Sequence, residues 1–411
     1  MIINKNQKVY IYLLCFFSLI LSFIFGENSS GGSKLDYEIT RQFIDAFSVN
    51  LTYGIKYFIS SGQVQSPFFY FLLSLSEKLL DIIYLKFTYT VVSSFIPLIL
   101  YICLKKKFQN VNKNYLFLIS LIIFLSPYFR SSASWMTTDN FANLFLILSI
   151  SKYFSLEKKK NLKNLILCSI YLVTATYIRQ YYAIFFLLYL ILSYKILTKK
   201  VIIFLIFFIS ILFLPLIFYY YNFFLPKSGS SFGNFTDFLS FNLLYTFIVF
   251  SSLYFFYFLP FYFNKKGIVK ILKLAGKNIS TLYVLLISIL YLSITIIDPI
   301  SPREYGGGIF MKISQIFSNN LFIYLASYLG FLVMILNFNK NNFYVYFCLV
   351  LIFPFVTVYQ KYYDPLLLLV ILTLTKNDFF QKLFEEYKCN LKLIYIYYLF
   401  FLILINFNYS L

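Results

Sequence analysis

Histidine is absent from the 411 residues, which removes histidine metal ligands and histidine bases. Charge is scarce: 12% of residues are Asp, Glu, Lys or Arg, against about 25% in a soluble domain. Only 15 residues are acidic, and of the 35 basic ones just four are arginine. Five cysteines are present, Cys15, Cys103, Cys168, Cys348 and Cys389; none has a partner at zinc-ligand spacing, and they suggest no disulfide framework. Alternating strand patterns of the outer-membrane kind are also missing.

What the chain has in abundance is hydrocarbon. It is 61% hydrophobic and 23% aromatic, with continuous apolar runs from residue 9 to residue 409. So little polar surface cannot keep a chain in water, and in lipid every backbone amide must be satisfied internally, so the runs are expected to be helices. The expected fold is an all-α polytopic transmembrane bundle forming a single domain over 1–411. It has about 13 spans of the usual ~17–25 residues, near 9–26, 87–104, 115–129, 140–154, 164–178, 181–196, 201–223, 238–262, 279–297, 321–337, 342–359, 364–375 and 392–409. Residues 67–83 are apolar for too short a stretch and read as a helix lying in the interface. Lys5 and Lys8 precede the first run, which lacks a small-x-small cleavage pattern and reads as an uncleaved span.

The net charge of +20 does not point to nucleic acid, because the lysines lie in short clusters between apolar runs, where cytoplasmic loops carry them. With the N-terminus in the cytoplasm, Lys105–Lys107, Lys158–Lys160, Lys199–Lys200, Lys265–Lys266 and the 376–392 segment all fall inside. Arg41, Arg130, Arg179 and Arg303 fall outside, as do Asp36, Glu38, Asp45, Asp139, Asp237, Asp298, Glu304 and Asp364. Arginine is a rigid, permanently charged fork for phosphate or carboxylate. Its restriction to one side suggests ligand binding there; the plainer reading is that the arginines pair with outer carboxylates to hold loops together.

The outer segments supply the candidates. Asp36 and Glu38 follow the first span within the long 27–86 loop. Asp36 suits proton abstraction from a hydroxyl, or the two suit a divalent cation; as a plain cap, Asp36 opens a helix. Arg130 begins a segment that holds the only tryptophan, Trp135, and ends at Thr138-Asp139-Asn140, where a helix is expected to start. Arg179 joins two spans almost without a linker, so it sits near headgroup level, within reach of a phosphate. Arg303 and Glu304 precede Gly306-Gly307-Gly308; the two charges suit pairing with neighbours, and the glycines permit close backbone approach or a hinge. Lys361, Tyr362, Tyr363 and Asp364 place a cation, two rings and a carboxylate at one outer edge, where they suit a phosphate and a sugar or form an aromatic belt with a snorkelling lysine.

This layout resembles the GT-C superfamily of integral-membrane glycosyltransferases. Asp36-Tyr37-Glu38 stands where those enzymes carry an acidic motif after the first span, and 67–83 stands for their interfacial helix. Thr137-Thr138-Asp139-Asn140 is similar to a T-x-D-N-type stretch, and Lys361-Tyr362-Tyr363-Asp364-Pro365 to an Arg/Lys-Tyr-Tyr motif. Arg179-Gln180 and Ser66-Pro67-Phe68-Phe69-Tyr70 resemble stretches of the dolichyl-phosphate-glucose glucosyltransferase branch. The acidic motif is Asp-x-Glu rather than Asp-Glu, and a histidine often found there is missing.

The resemblance implies a polyprenyl-phosphate-linked sugar as donor and a glycan, lipid or protein as acceptor. Catalysis would fall to Asp36, Glu38 and Asp139, and the donor phosphate to Arg179, Lys361 and Arg303. Arg130, Tyr362, Tyr363 and Asp364 would contact substrate. The expected setting is a bacterial inner membrane with the active site outside; a metal is left open. A lipid-linked glycan flippase or other transporter, or an O-antigen-type polymerase, remains the alternative. Transporters place polar groups at the bilayer midplane and show repeats; here no repeat is evident and the ionisable groups gather at one face.

Overall fold

A computed structural model describes residues 4–61, 66–193, 243–262, 288, 291, 293, 306–353, 358–376, 384 and 390–410. Among them the chain is helical, with no strand. Its contacts divide it into two units. The first takes Met1–Gln109, Lys113–Leu239 and Tyr398–Leu411, the second Asn110–Asn112 and Ser240–Tyr397.

The first unit opens with α1 (Lys5–Ile24), started by a reciprocal cap in which Asn4 Oδ1 accepts the Gln7 amide at 2.8 Å and Gln7 Oε1 accepts the Asn4 amide at 2.9 Å. At about 1.5 Å per residue, its twenty residues reach about 30 Å, the thickness of a bilayer core. Three short helices follow: α2 (Ser33–Val49), α3 (Leu51–Ser60) and α4 (Phe68–Glu77). In α2 the buried positions Thr40, Phe43, Ile44 and Phe47 fall at helical spacing along one face. Asn50 breaks α2 from α3, its backbone extended and its side chain accepting the Tyr53 amide at 2.7 Å.

The three pack through rings. Phe43 lies 4.9 Å from both Phe58 and Tyr70. Phe69, beside Tyr70, meets Tyr89 at 6.2 Å and Phe141 at 5.8 Å, carrying the aromatic core into the helices that follow.

Next, α5 (Ile82–Ser93) and α6 (Phe95–Lys107) run together as one 26-residue apolar helix, which starts five residues before the expected 87–104 span. The expected 115–129 span is bent. After α7 (Lys113–Leu121) and a 3-10 turn (Ile122–Leu125), the chain turns by 64° into α8 (Pro127–Trp135). Ser126 is extended, caps the Phe129 amide at 3.0 Å, and precedes a proline at the first helical position. Proline bars its predecessor from helical geometry and starts a helix well. The segment from Arg130, read from sequence as a loop, is therefore mostly helix.

Then α9 (Thr138–Lys159) and α10 (Leu162–Ile178) form a hairpin turned at Lys160, which sits in the left-handed region. A 3-10 turn (Gln180–Ala183) and α11 (Ile184–Ser193) follow.

In the second unit the helix Leu243–Tyr262 packs against Leu321–Leu336. They approach so closely that a Cβ on Gly330 would lie 1.9 Å from the Ser251 carbonyl oxygen. Gly308–Ile316, Lys340–Leu351, Gln360–Tyr363 and Leu366–Leu374 complete this unit, and Leu391–Ser410 closes the chain. Gly306, Gly307 and Gly308 all have positive φ, and the Gly307 amide donates to Val358 O at 2.8 Å, so this run makes a tight turn against the residues just before Gln360.

Among the described residues, three helices are long and apolar enough to cross a membrane: Lys5–Ile24, Ile82–Lys107 and Leu243–Tyr262. The bent pair makes up to four. The expected spans 201–223 and 279–297 lie outside the described residues, apart from single positions.

Candidate functional site

The site in the first unit is built where the α9–α10 hairpin brings its two ends together. Asp139 sits in the first turn of α9, where a negative charge suits the helix N-terminus. Arg179 ends α10 in extended conformation. Their side chains form an ion pair, Arg179 Nη2 to Asp139 Oδ1 at 2.6 Å, with 6% and 15% of each side chain exposed. Arg179 Nε also donates to Thr138 Oγ1 at 3.0 Å, and Thr137 Oγ1 donates to Asp139 Oδ2 at 3.3 Å. Polar groups beneath fix this corner. Thr137 and Ser132 hydroxyls lie 2.7 Å apart, and Tyr89 Oη donates to Thr137 O while accepting the Phe141 amide.

Two tyrosines flank the pair. Tyr182 donates to Asn143 Oδ1 at 2.9 Å, one turn along α9 from Asp139. Tyr70 of α4 is buried. Burial pushes its phenol well above the ordinary tyrosine range; Arg179 opposes this, and the carboxylates of Asp36 and Asp139 add to it. Tyr70 is therefore a neutral phenol that feels Arg179, Asp36 and Asp139 together. Sequence reading named Tyr70 only as part of a motif and missed Tyr182 and Tyr89. Tyrosines are so numerous here, 40 in all, that their type carries no signal.

Asp36 occupies the first turn of α2, half-buried, and Glu38 is exposed. Two residues along a helix is about 200° of rotation, so the helix parts the two carboxylates that sequence placed on one cation. Among the described residues no group of three or more His, Cys, Asp or Glu side chains is arranged to hold a metal.

Arg130, expected to touch substrate, is a buried clamp. Its Nε lies 2.8 Å and its Nη2 also 2.8 Å from Glu27 Oε2, and Nη2 donates to Ser18 O at 3.1 Å, tying α8 to α1. Arg41 pairs with Asp45 at 2.7 Å and with Glu77, joining α2 to α4. All three arginines among the described residues are thus ion-paired to carboxylates. The holding role fits Arg41 and Arg130, and only Arg179 has its pair inside the candidate site.

The second unit holds the other candidates. Lys361 Nζ stands 5.8 Å from the Tyr359 ring and 5.9 Å from that of Tyr362. The Tyr362 ring lies tilted against that of Phe353, with centroids 5.1 Å apart. Tyr363 is fully buried and donates to Leu349 O at 2.9 Å, which makes it a packing residue rather than a face for a sugar. Asp364 is buried, before a cis bond to Pro365. Gln360 ties this short helix down, donating to Tyr257 Oη at 2.9 Å and accepting the Ile309 amide at 3.0 Å. Arg303 lies outside the described residues.

No protein-family model, curated protein or solved structure matches this chain.

Proposed function

We propose that this chain is a membrane-embedded inverting glycosyltransferase. It moves a sugar from a polyprenyl-phosphate donor to a glycan, lipid or protein acceptor outside the cytoplasm, and its bundle comprises about 13 spans. A bilayer setting draws support from α1, whose apolar side chains point outward: Leu14 is 69% and Phe17 59% exposed. Water does not tolerate such a surface on a twenty-residue helix; lipid does.

The observation that carries the reading is the corner where Arg179, Asp139 and Thr138 meet, whose charges, together with that of Asp36, act on the buried phenol of Tyr70. It offers a carboxylate base and a delocalised cation at one end of the first unit. Asp36 accepts the proton of the acceptor hydroxyl. The freed oxygen attacks the anomeric carbon from the face opposite the donor, and the bond from that carbon to the lipid phosphate breaks. The phosphate leaves with the electron pair, and Arg179 neutralises the growing charge. Asp139 holds the guanidinium in place until then. Lys361 and Arg303 are assigned to the donor phosphate on sequence alone.

Asp36→Asn in purified, folded protein should cut transfer from a polyprenyl-phosphate sugar by about 10²–10⁴-fold, the usual contribution of a general base. Its thermal midpoint should stay unchanged. Full transfer by the folded variant rejects Asp36 as the base.

A further inference from the structure

Beside this corner lies a second cation with a different environment. Lys86 of α5 has its ammonium 4.4 Å from the Tyr37 ring centre and 4.3 Å from that of Trp135, whose rings are 5.8 Å apart. Among the described residues no carboxylate pairs with Lys86 and no protein acceptor takes its three N–H donors. The aromatic walls are fixed in advance. Trp135 Nε1 donates to Glu27 O at 3.0 Å, and the Glu27 side chain is itself held by Arg130 of the same helix as Trp135.

Position argues for the occupant. Lys86 stands near the start of the 26-residue Ile82–Lys107 helix, about 30 Å from the lysines that end it. The C-terminal end of α1 lies at the same level, since Phe23 meets Phe87 at 5.8 Å. Two helices long enough to cross a bilayer therefore finish here on one side. At these helix ends Phe25, Ile83 and Phe87 expose hydrocarbon, Ile83 one turn from Lys86 and Phe87 next to it in the chain. A cation over aromatic faces, at the end of two such helices and rimmed by apolar side chains, matches an anion that carries its own hydrocarbon chains.

We propose that Lys86, Tyr37 and Trp135 form a binding site for the phosphate of an anionic membrane phospholipid, with Phe25, Ile83 and Phe87 against its acyl chains. The site is independent of sugar transfer: it requires the first unit and a bilayer, not the reaction proposed above.

Trp135 is the only tryptophan, so its fluorescence reports on this site alone. The full chain in dodecyl maltoside is titrated with dioctanoyl phosphatidylglycerol, and the emission is followed. A saturable change is expected, absent with uncharged dioctanoyl glycerol and with inorganic phosphate at equal concentration. Lys86→Arg should keep the response, and Lys86→Gln should weaken apparent affinity about tenfold, as loss of a charge-assisted contact does. Equal responses to the charged and uncharged lipid overturn the proposal without any variant. So does a full response to inorganic phosphate, or undiminished affinity in folded Lys86→Gln.

Discussion

Arg179 and Asp139 face each other almost out of water, whereas Arg41, a third exposed, meets its acids near solvent. Removing one member of a buried pair strands the other charge, at a cost of about 3–5 kcal/mol. Partly exposed pairs contribute roughly 0.2–1 kcal/mol. Asp139→Asn should therefore lower stability by about 3–5 kcal/mol in detergent denaturation, and Arg41→Gln by about 1 kcal/mol or less. Similar losses in both would show that burial does not govern these pairs. Arg179 and Asp139 were each legible in the sequence as a lone charge amid hydrocarbon. Their partners were not. Asp139 and Arg179 lie nearly equidistant in sequence from the turn at Lys160, so only the hairpin makes them neighbours. The clamp of Arg130 on Glu27 depends on how α8 returns to α1, which no local pattern encodes.

At the scale of elements, most helices stand where continuous apolar runs placed them, as with Lys5–Ile24, Leu162–Ile178 and Leu321–Leu336. The bend at Ser126-Pro127 was missed because a hydropathy window sums side chains and is blind to the direction of the axis, although the capping serine and the proline were both in view. Close packing was equally hidden. At Gly330 the obstacle to a Cβ is the Ser251 backbone carbonyl, which no rotamer change can move. Gly330→Ala should force the two helices apart and destabilise the protein by at least the ~1–3 kcal/mol typical of overpacking, read as a lower thermal midpoint. Adding Ser251→Gly should bring no rescue, because the carbonyl remains; recovery in the double variant would locate the clash in the side chain instead.

For the whole molecule, the proposal stands or falls with orientation. Lys34 in α2 and Lys159 at the end of α9 are both exposed, and the positive-inside rule puts them on opposite sides. In intact cells, with Cys389 replaced by serine, a membrane-impermeant maleimide should label Lys34→Cys at once and Lys159→Cys only after permeabilisation. The reverse pattern would put Asp36 and Arg179 in the cytoplasm and end the proposal. The helical class was legible because lipid demands helices. A full set of thirteen spans was not: the described residues hold three helices of sufficient length and hydropathy, four with the bent pair.

The pairing of Arg130 with Glu27 and of Arg179 with Asp139 has a consequence for ionic strength. Opposite charges less than 3 Å apart and nearly out of water leave almost no field at the roughly 10 Å screening distance of 0.1 M salt. Dissolved ions cannot weaken what they cannot reach. Salt therefore acts on exposed charges such as Lys34, Lys159 and the Arg41–Asp45 pair, and leaves the two buried pairs untouched.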